Sequence, residues 1–214
     1  LERKRIARGS VQFRFAEEVF EFDKYKQMVG VERSYQTSAM KLIEQFMLET
    51  NETVARHCVK NKMPALFRVH EIPDIRKLRK LQQIFFRFGV STPLSKLVDP
   101  KQFNAVIEQI KDLQQFVQLQ VLLLRALPLA VYMTANKGHF GLAADYYTHF
   151  TSPIRRYPDL LVHRAIKQKL YQQNSSNIKS KRSIIHKVSS DIAELCSLQE
   201  RRAEKAERQS IELM

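Results

Sequence analysis

Between residues 35 and 60 apolar side chains return every three or four positions, at Ala39, Leu42, Ile43, Phe46, Met47, Val54, Ala55 and Cys58. That is the period of one face of an α-helix, so the segment predicts a long amphipathic helix. Upstream the period is two. Val11, Phe13 and Phe15 share one face of residues 10–15, and short runs follow over 19–22 and 28–33 beyond the polar turn Ala16-Glu17-Glu18. Alternation of this kind predicts a small antiparallel meander. Downstream, Ile75, Leu78, Leu81, Phe85 and Phe86 predict a basic amphipathic helix over 74–88. Two further helices are expected over 101–111 and 112–127, the second apolar enough to be central. Pro64 and Pro73 bracket a short extended piece at 66–70, and Pro128 ends the apolar helix before a short strand at 130–134. Residues 91–100 are expected to be a linker and 172–183 a polar loop. Ile185, Val188, Ile192 and Leu195 open a last helix over 183–210. The expected fold is α+β and predominantly helical, one domain with the meander near its N-terminus.

Charge narrows the partner. Lys and Arg total 36 against 22 Asp and Glu, a net +14 with a pI near 9.9, which points to a polyanion. RNA, DNA and an anionic membrane all satisfy that. No apolar run approaches the roughly 18 residues of a membrane span, and no signal peptide precedes the first basic residues, so no membrane partner and a cytoplasmic location are expected. Cys58 and Cys196 stand alone within helical patterns and are expected to be reduced core thiols. Leu1 is not a usual initiating residue and a helical pattern is still running at Met214, so the chain is expected to be a piece of a longer one. Residues 1–8 form a basic lead-in closed by Gly9.

The candidate chemistry gathers in residues 139–166, where an aromatic, hydroxyl-rich run from His139 through Tyr147, His149, Thr151 and Ser152 feeds the pair Arg155-Arg156. Guanidinium forks match two phosphate oxygens at once, and aromatic faces accept stacked bases, so the stretch fits nucleic acid. Ser152-Pro153 could start a helix as N-cap and first residue. Pro158 would then fall beyond the first turn, so the helix either kinks at Pro158 or begins there. Asp159 lies close enough to orient one of the two guanidiniums. On the long helix, Glu44 and Asn51 are seven positions apart and share a side.

The runs His139-Phe-Gly-Leu142, Tyr147-Thr-His-Phe-Thr-Ser-Pro-Ile-Arg-Arg-Tyr-Pro-Asp-Leu160 and His163-Arg164 resemble the signature of the ribonuclease II/ribonuclease R, or RNB-domain, family. Arg155-Arg-Tyr-Pro-Asp159 and Pro64-Ala-Leu-Phe-Arg-Val-His70 are more similar to the bacterial ribonuclease R branch. The resemblance covers essentially the whole chain, yet only the C-terminal part of the family's domain. It implies a processive hydrolytic 3′→5′ exoribonuclease that takes a single-stranded RNA 3′ end and releases nucleoside 5′-monophosphates. By the same resemblance Arg155 grips the scissile phosphate, and Arg156 is a phosphate contact or the partner of Asp159. Tyr147, Thr148, His149 and Thr151 shape the channel floor, with Ser152 beside the RNA. Glu44 contacts the ribose of the bound end, Phe13 clamps the terminal bases and Glu207 lies near the RNA path.

One part of that chemistry is absent from the residues. Two-metal phosphodiester hydrolysis needs carboxylates clustered around ions about 4 Å apart. The aspartates here are Asp23, Asp74, Asp99, Asp112, Asp145, Asp159 and Asp191, with no two adjacent in sequence. The resemblance places the magnesium-binding cluster in the N-terminal half of the RNB domain, which this chain lacks. A second class of function is therefore open, a non-catalytic basic helical module that binds nucleic acid. A protein-interaction scaffold built on the last helix would leave both the arginines and the aromatic loop without a role.

Overall fold

The computed structural model describes residues 1–13, 17–34, 36–93, 99–174 and 188–212. Among them the chain forms helices α1 (Glu2–Arg8), α2 (Ser38–Lys60), α3 (Ile75–Arg87), α4 (Pro100–Ile110), α5 (Phe116–Ala126), α6 (Tyr157–Asn174) and α7 (Ser190–Glu212). The strands are β1 (Glu17–Phe22), β2 (Met28–Ser34), β3 (Phe67–Val69) and β4 (Val131–Met133). The helix-dominated α+β fold is the one the periodicities predict.

Local chemistry explains the helix starts. The Thr37 side chain accepts from Met40 N at 3.2 Å ahead of α2, Asp74 accepts from Arg76 N at 2.8 Å ahead of α3, and Asp99 accepts from Lys101 N at 2.9 Å ahead of α4. Each uses a short polar side chain to satisfy an N–H that the helix itself leaves unpaired. Pro100 then begins α4, where its missing N–H costs nothing.

The meander shrinks to a hairpin. β1 and β2 pair antiparallel from Glu17 against Ser34, and Asp23 Oδ1 caps the turn by accepting from Tyr25 N and Gln27 N, both at 2.8 Å. Residues 10–13 are not a strand. Val11 N donates to Gly141 O at 2.8 Å and Gln12 N to Asn104 Oδ1 at 3.0 Å, so their backbone donors are taken by a loop and a helix. Val11 and Phe13 pack instead against the helical core of α3, α4 and α5. Alternation signals one buried face, and a helical surface buries it as well as a sheet does. The basic lead-in folds as α1 from Glu2 to Arg8, ended by Gly9 in the left-handed region at φ 113°. α6 runs on to Asn174, into the segment expected to be a polar loop; Phe15, Ala16, Ile185 and residues 175–183 of that segment lie outside the described residues.

Two packing centres position the site. In the larger, Leu78 and Phe85 of α3 meet Phe103, Val106 and Ile110 of α4 and Leu119 and Leu123 of α5. In the second, Ala55 and Cys58 of α2 and Val162 of α6 close over Phe67 and Val69 of β3. β3 pairs antiparallel with β4, Arg68 opposite Tyr132, and the bridges Phe67–Thr148 and His70–His139 tie the candidate loop to this small sheet. Cys58 is buried and its thiol is pushed up to about 11 by desolvation, an unreactive core thiol. No helix among the described residues is long and apolar enough to cross a membrane.

Candidate nucleic-acid interface

Pro158 decides where α6 begins. The helix starts at Tyr157, so the proline occupies its first turn, where an N–H has no partner in any case. Residues 152–156 form a tight turn instead, with Arg155 N and Arg156 N both donating to Ser152 O, at 3.3 and 3.0 Å. The two arginines consequently leave the turn in different environments.

Arg156 is clamped. Its Nε donates to Asp159 Oδ2 at 2.8 Å and its terminal nitrogen to Asp159 Oδ1 at 2.9 Å, a bidentate pair. Asp159 is fully buried, and its Oδ1 also accepts from Ser152 N at 2.8 Å. One carboxylate thereby holds both the start of the turn and the second arginine. Arg155 is exposed, and its side chain has no hydrogen bond or ion pair among the described residues. A guanidinium presented on a braced turn is a preorganised donor for phosphate oxygens.

The aromatic run packs inward beneath this turn. Tyr147 is buried, its hydroxyl accepting from Asn51 Nδ2 at 3.1 Å, while Asn51 Oδ1 accepts from Phe150 N at 3.0 Å. The His139 and His149 rings meet Tyr147 edge-on at 5.2 and 5.8 Å. Thr148 donates to Leu66 O at 2.6 Å, and His163 stacks on Phe150 at 4.0 Å between centroids. Thr151 Oγ1 is buried with no partner among the described residues. Tyr147, His149, Thr151, Ser152, Arg155 and Arg156 thus form one unit braced by Asn51 of α2.

The other expected contacts lie apart. Glu44 stands two turns before Asn51 on α2, half-buried, with Oε2 accepting from Gln36 Nε2 at 2.9 Å. Phe13 is partly buried against the α3–α5 core. Glu207 is exposed near the end of α7. Several bracing residues carry no local sequence signal. Arg8 holds Glu52 bidentately at 2.8 and 2.6 Å, and Arg68 pairs with Glu200 while its guanidinium lies 4.8 Å above the Tyr132 ring. These partners are 44, 132 and 64 positions apart in sequence, beyond the reach of any periodicity.

Burial sets the protonation of the loop. Desolvation, aided by the nearby charges of His70 and Arg68, pushes His139 down to about 3. His149 also falls to about 3, through desolvation first and then the charges of Arg156, Arg68, His139 and Arg155. His70 stacks on His139 at 5.1 Å and is lowered too, chiefly by burial. An unfolded imidazole takes up its proton near pH 6.5, so the folded state keeps its full advantage from these groups above that pH and loses it as pH falls toward 3. Urea midpoints are expected to fall from pH 7 to pH 4.5, with unfolding near pH 5 taking up about two protons from His139 and His149 and a further fraction from His70. A flat midpoint over that range would contradict the buried, neutral state of His139 and His149.

These residues do not fit a metal. Among the described residues no three of His, Cys, Asp and Glu converge on one point. The carboxylate nearest the arginines, Asp159, has both oxygens committed to Arg156 and Ser152.

Residues 1–172 match the RNB domain. Ribonuclease R of Escherichia coli K12 is 36% identical over 212 residues, covering 97% of this chain and 26% of that protein. The chain therefore spans about a quarter of that relative's length. Among solved structures, Mycoplasma genitalium RNase R in complex with ribose-methylated single-stranded RNA superposes with a TM-score of 0.86 at 28% identity, over 97% of this chain and 32% of that one. Yeast Ssd1, described as a pseudonuclease, superposes with a TM-score of 0.55 at 26% identity, over 74% of this chain and 20% of that one. The chain is a member of the RNB domain family and is similar to bacterial ribonuclease R.

Proposed function

We propose that this chain is the RNA-gripping, C-terminal part of the RNB domain of a processive, hydrolytic 3′→5′ exoribonuclease of the ribonuclease R kind, acting in the cytoplasm on single-stranded RNA ends. The observation that carries the reading is the division of labour in the arginine pair, Arg156 locked on buried Asp159 and Arg155 left exposed beside it. Arg155 grips the scissile phosphate and opposes the charge that develops on its oxygens as water adds to phosphorus and the bond to the 3′ oxygen of the shortened RNA breaks, leaving the phosphate on the released nucleoside 5′-monophosphate. Arg156 and Asp159 hold the turn that aims it. Tyr147, His149, Thr151 and Ser152 form the floor under the RNA, while Glu44, Phe13 and Glu207 contact its ribose, terminal bases and path. Magnesium belongs to carboxylates in the N-terminal half of the domain.

On this reading the 214-residue chain binds RNA without degrading it. Its net charge of +14 supplies phosphate attraction, so affinity for a single-stranded oligonucleotide is expected to fall steeply and log-linearly with salt. Filter binding across a salt series and a labelled 3′-end assay with magnesium check both halves of the claim. Magnesium-dependent shortening by the rigorously purified chain would overturn the assignment of the metal ligands elsewhere. The fold likeness to a protein described as a pseudonuclease favours the other reading, a non-catalytic RNA-binding module. The two part on one observation: the coding frame of the longer protein contains an Asp cluster upstream on the first reading and none on the second.

A further inference from the structure

Tyr132 is held from three sides. Its N–H donates to Ser197 Oγ of α7 at 2.9 Å, its ring lies 4.8 Å beneath the Arg68 guanidinium, and Arg68 is itself paired with Glu200 of α7. So fixed, the phenol places its oxygen 2.7 Å from His149 Nδ1, with the two rings edge-on at 71°. The direction of that hydrogen bond follows from the inventory of protons. Burial raises the phenol's ionisation above its ordinary value, so the group keeps its proton, and no other acceptor for it stands among the described residues. Were Nδ1 the donor, the buried O–H would have nowhere to go, which is the costly arrangement. The phenol donates, Nδ1 accepts, and the imidazole proton resides on Nε2.

That Nε2–H has no protein acceptor among the described residues, although the guanidiniums of Arg156, Arg68 and Arg155 all act on the ring. Three like charges oppose a fourth on the imidazole and at the same time draw an anion toward it. We infer that Tyr132 is a positioning residue that holds His149 as its Nε2–H tautomer, and that this N–H donates to a non-bridging phosphate oxygen of RNA lying against Arg155. The inference rests on the RNA reading above. It makes His149 a fixed, uncharged donor rather than an acid or base, and it makes the docking of α7 through Ser197 and Glu200 a condition for the loop's geometry.

The test uses the ¹⁵N-labelled chain and a single-stranded oligoadenylate at low salt. Long-range ¹H–¹⁵N spectra separate the two tautomers and the cation, and the His149 signals are identified by their loss in His149→Gln. The expected result is a neutral Nε2–H ring at pH 7 that remains neutral at pH 5. Tyr132→Phe keeps the packing and removes the hydroxyl; it is expected to mix the tautomers and to weaken oligoadenylate binding by about 3- to 10-fold, the effect of one lost hydrogen bond. His149→Leu is expected to lose about 10-fold, while His149→Gln, whose amide N–H stands near the position of Nε2–H, stays within about 3-fold. An Nδ1–H ring, a protonated ring at pH 6, or Tyr132→Phe binding with unchanged affinity overturns the inference. A wrong tautomer with intact RNA binding leaves the RNA reading standing. The expected tautomer with no RNA binding at all overturns the phosphate contact together with that reading.

Discussion

On the proposed reading, Arg155→Ala in the full-length protein is expected to slow single-turnover RNA cleavage by about 10³ to 10⁵, or about 4 to 7 kcal/mol of transition-state stabilisation. RNA affinity should change far less. The reason is that an exposed guanidinium meets only modest charge in the bound substrate and more in the transition state, so its loss falls on the rate. Arg155→Lys keeps the charge and loses the planar fork, and should recover only part of the deficit. Arg156→Ala removes a residue already bound to Asp159, so its direct effect on rate should be smaller, about 1 to 3 kcal/mol. Single-turnover rates and equilibrium affinities for the three variants decide the matter. Equal losses of rate and affinity for Arg155→Ala, or a larger rate defect for Arg156→Ala, would show that Arg155 is not the arginine acting on the transition state.

Asp159→Ala is expected to damage the scaffold. The substitution strips Arg156 of both its hydrogen bonds, leaves Ser152 N–H without its acceptor and opens a void at a fully buried position. Breaking one side of a buried pair typically costs about 3 to 5 kcal/mol, because the partner is left charged and poorly solvated. For a chain of this size that corresponds to a fall in Tm of roughly 6 to 20 °C. Asp159→Asn retains one acceptor and should lie between. Thermal unfolding followed by circular dichroism measures it directly, and a Tm within about 2 °C of the parent would mean that the carboxylate is not what holds the turn. Because the same carboxylate aims the loop, RNA affinity of the folded Asp159→Asn protein should fall together with its stability.

Much of the architecture is local in origin. Helices α2, α3, α4 and α5 appear where apolar residues return at three and four, and Thr37, Asp74 and Asp99 stand at the starts of α2, α3 and α4 because a capping side chain acts within three residues of itself. Pro158 similarly marks the start of α6, since a proline's missing N–H and its ring affect only the turn it occupies. The proximity of Asp159 to the arginine pair is likewise legible from spacing, though spacing leaves open which of the two it takes.

What lies at long range is decided by the tertiary structure. The alternation at Val11 and Phe13 specifies a buried face and is silent on what buries it; the Gly141 carbonyl and the Asn104 side chain, far along the chain, take the backbone donors that a neighbouring strand would otherwise have taken. Arg68 with Glu200, Arg8 with Glu52, and Tyr132 with His149 come together only after β3, β4, α1 and α7 have packed, because two side chains find each other through the positions of their backbones and not through a repeat. On the proposed reading, sequence alone therefore marks the arginine pair as the groups that meet a phosphate. Packing decided which arginine is free to do so, since only burial of Asp159 makes one guanidinium a brace and leaves the other in solvent.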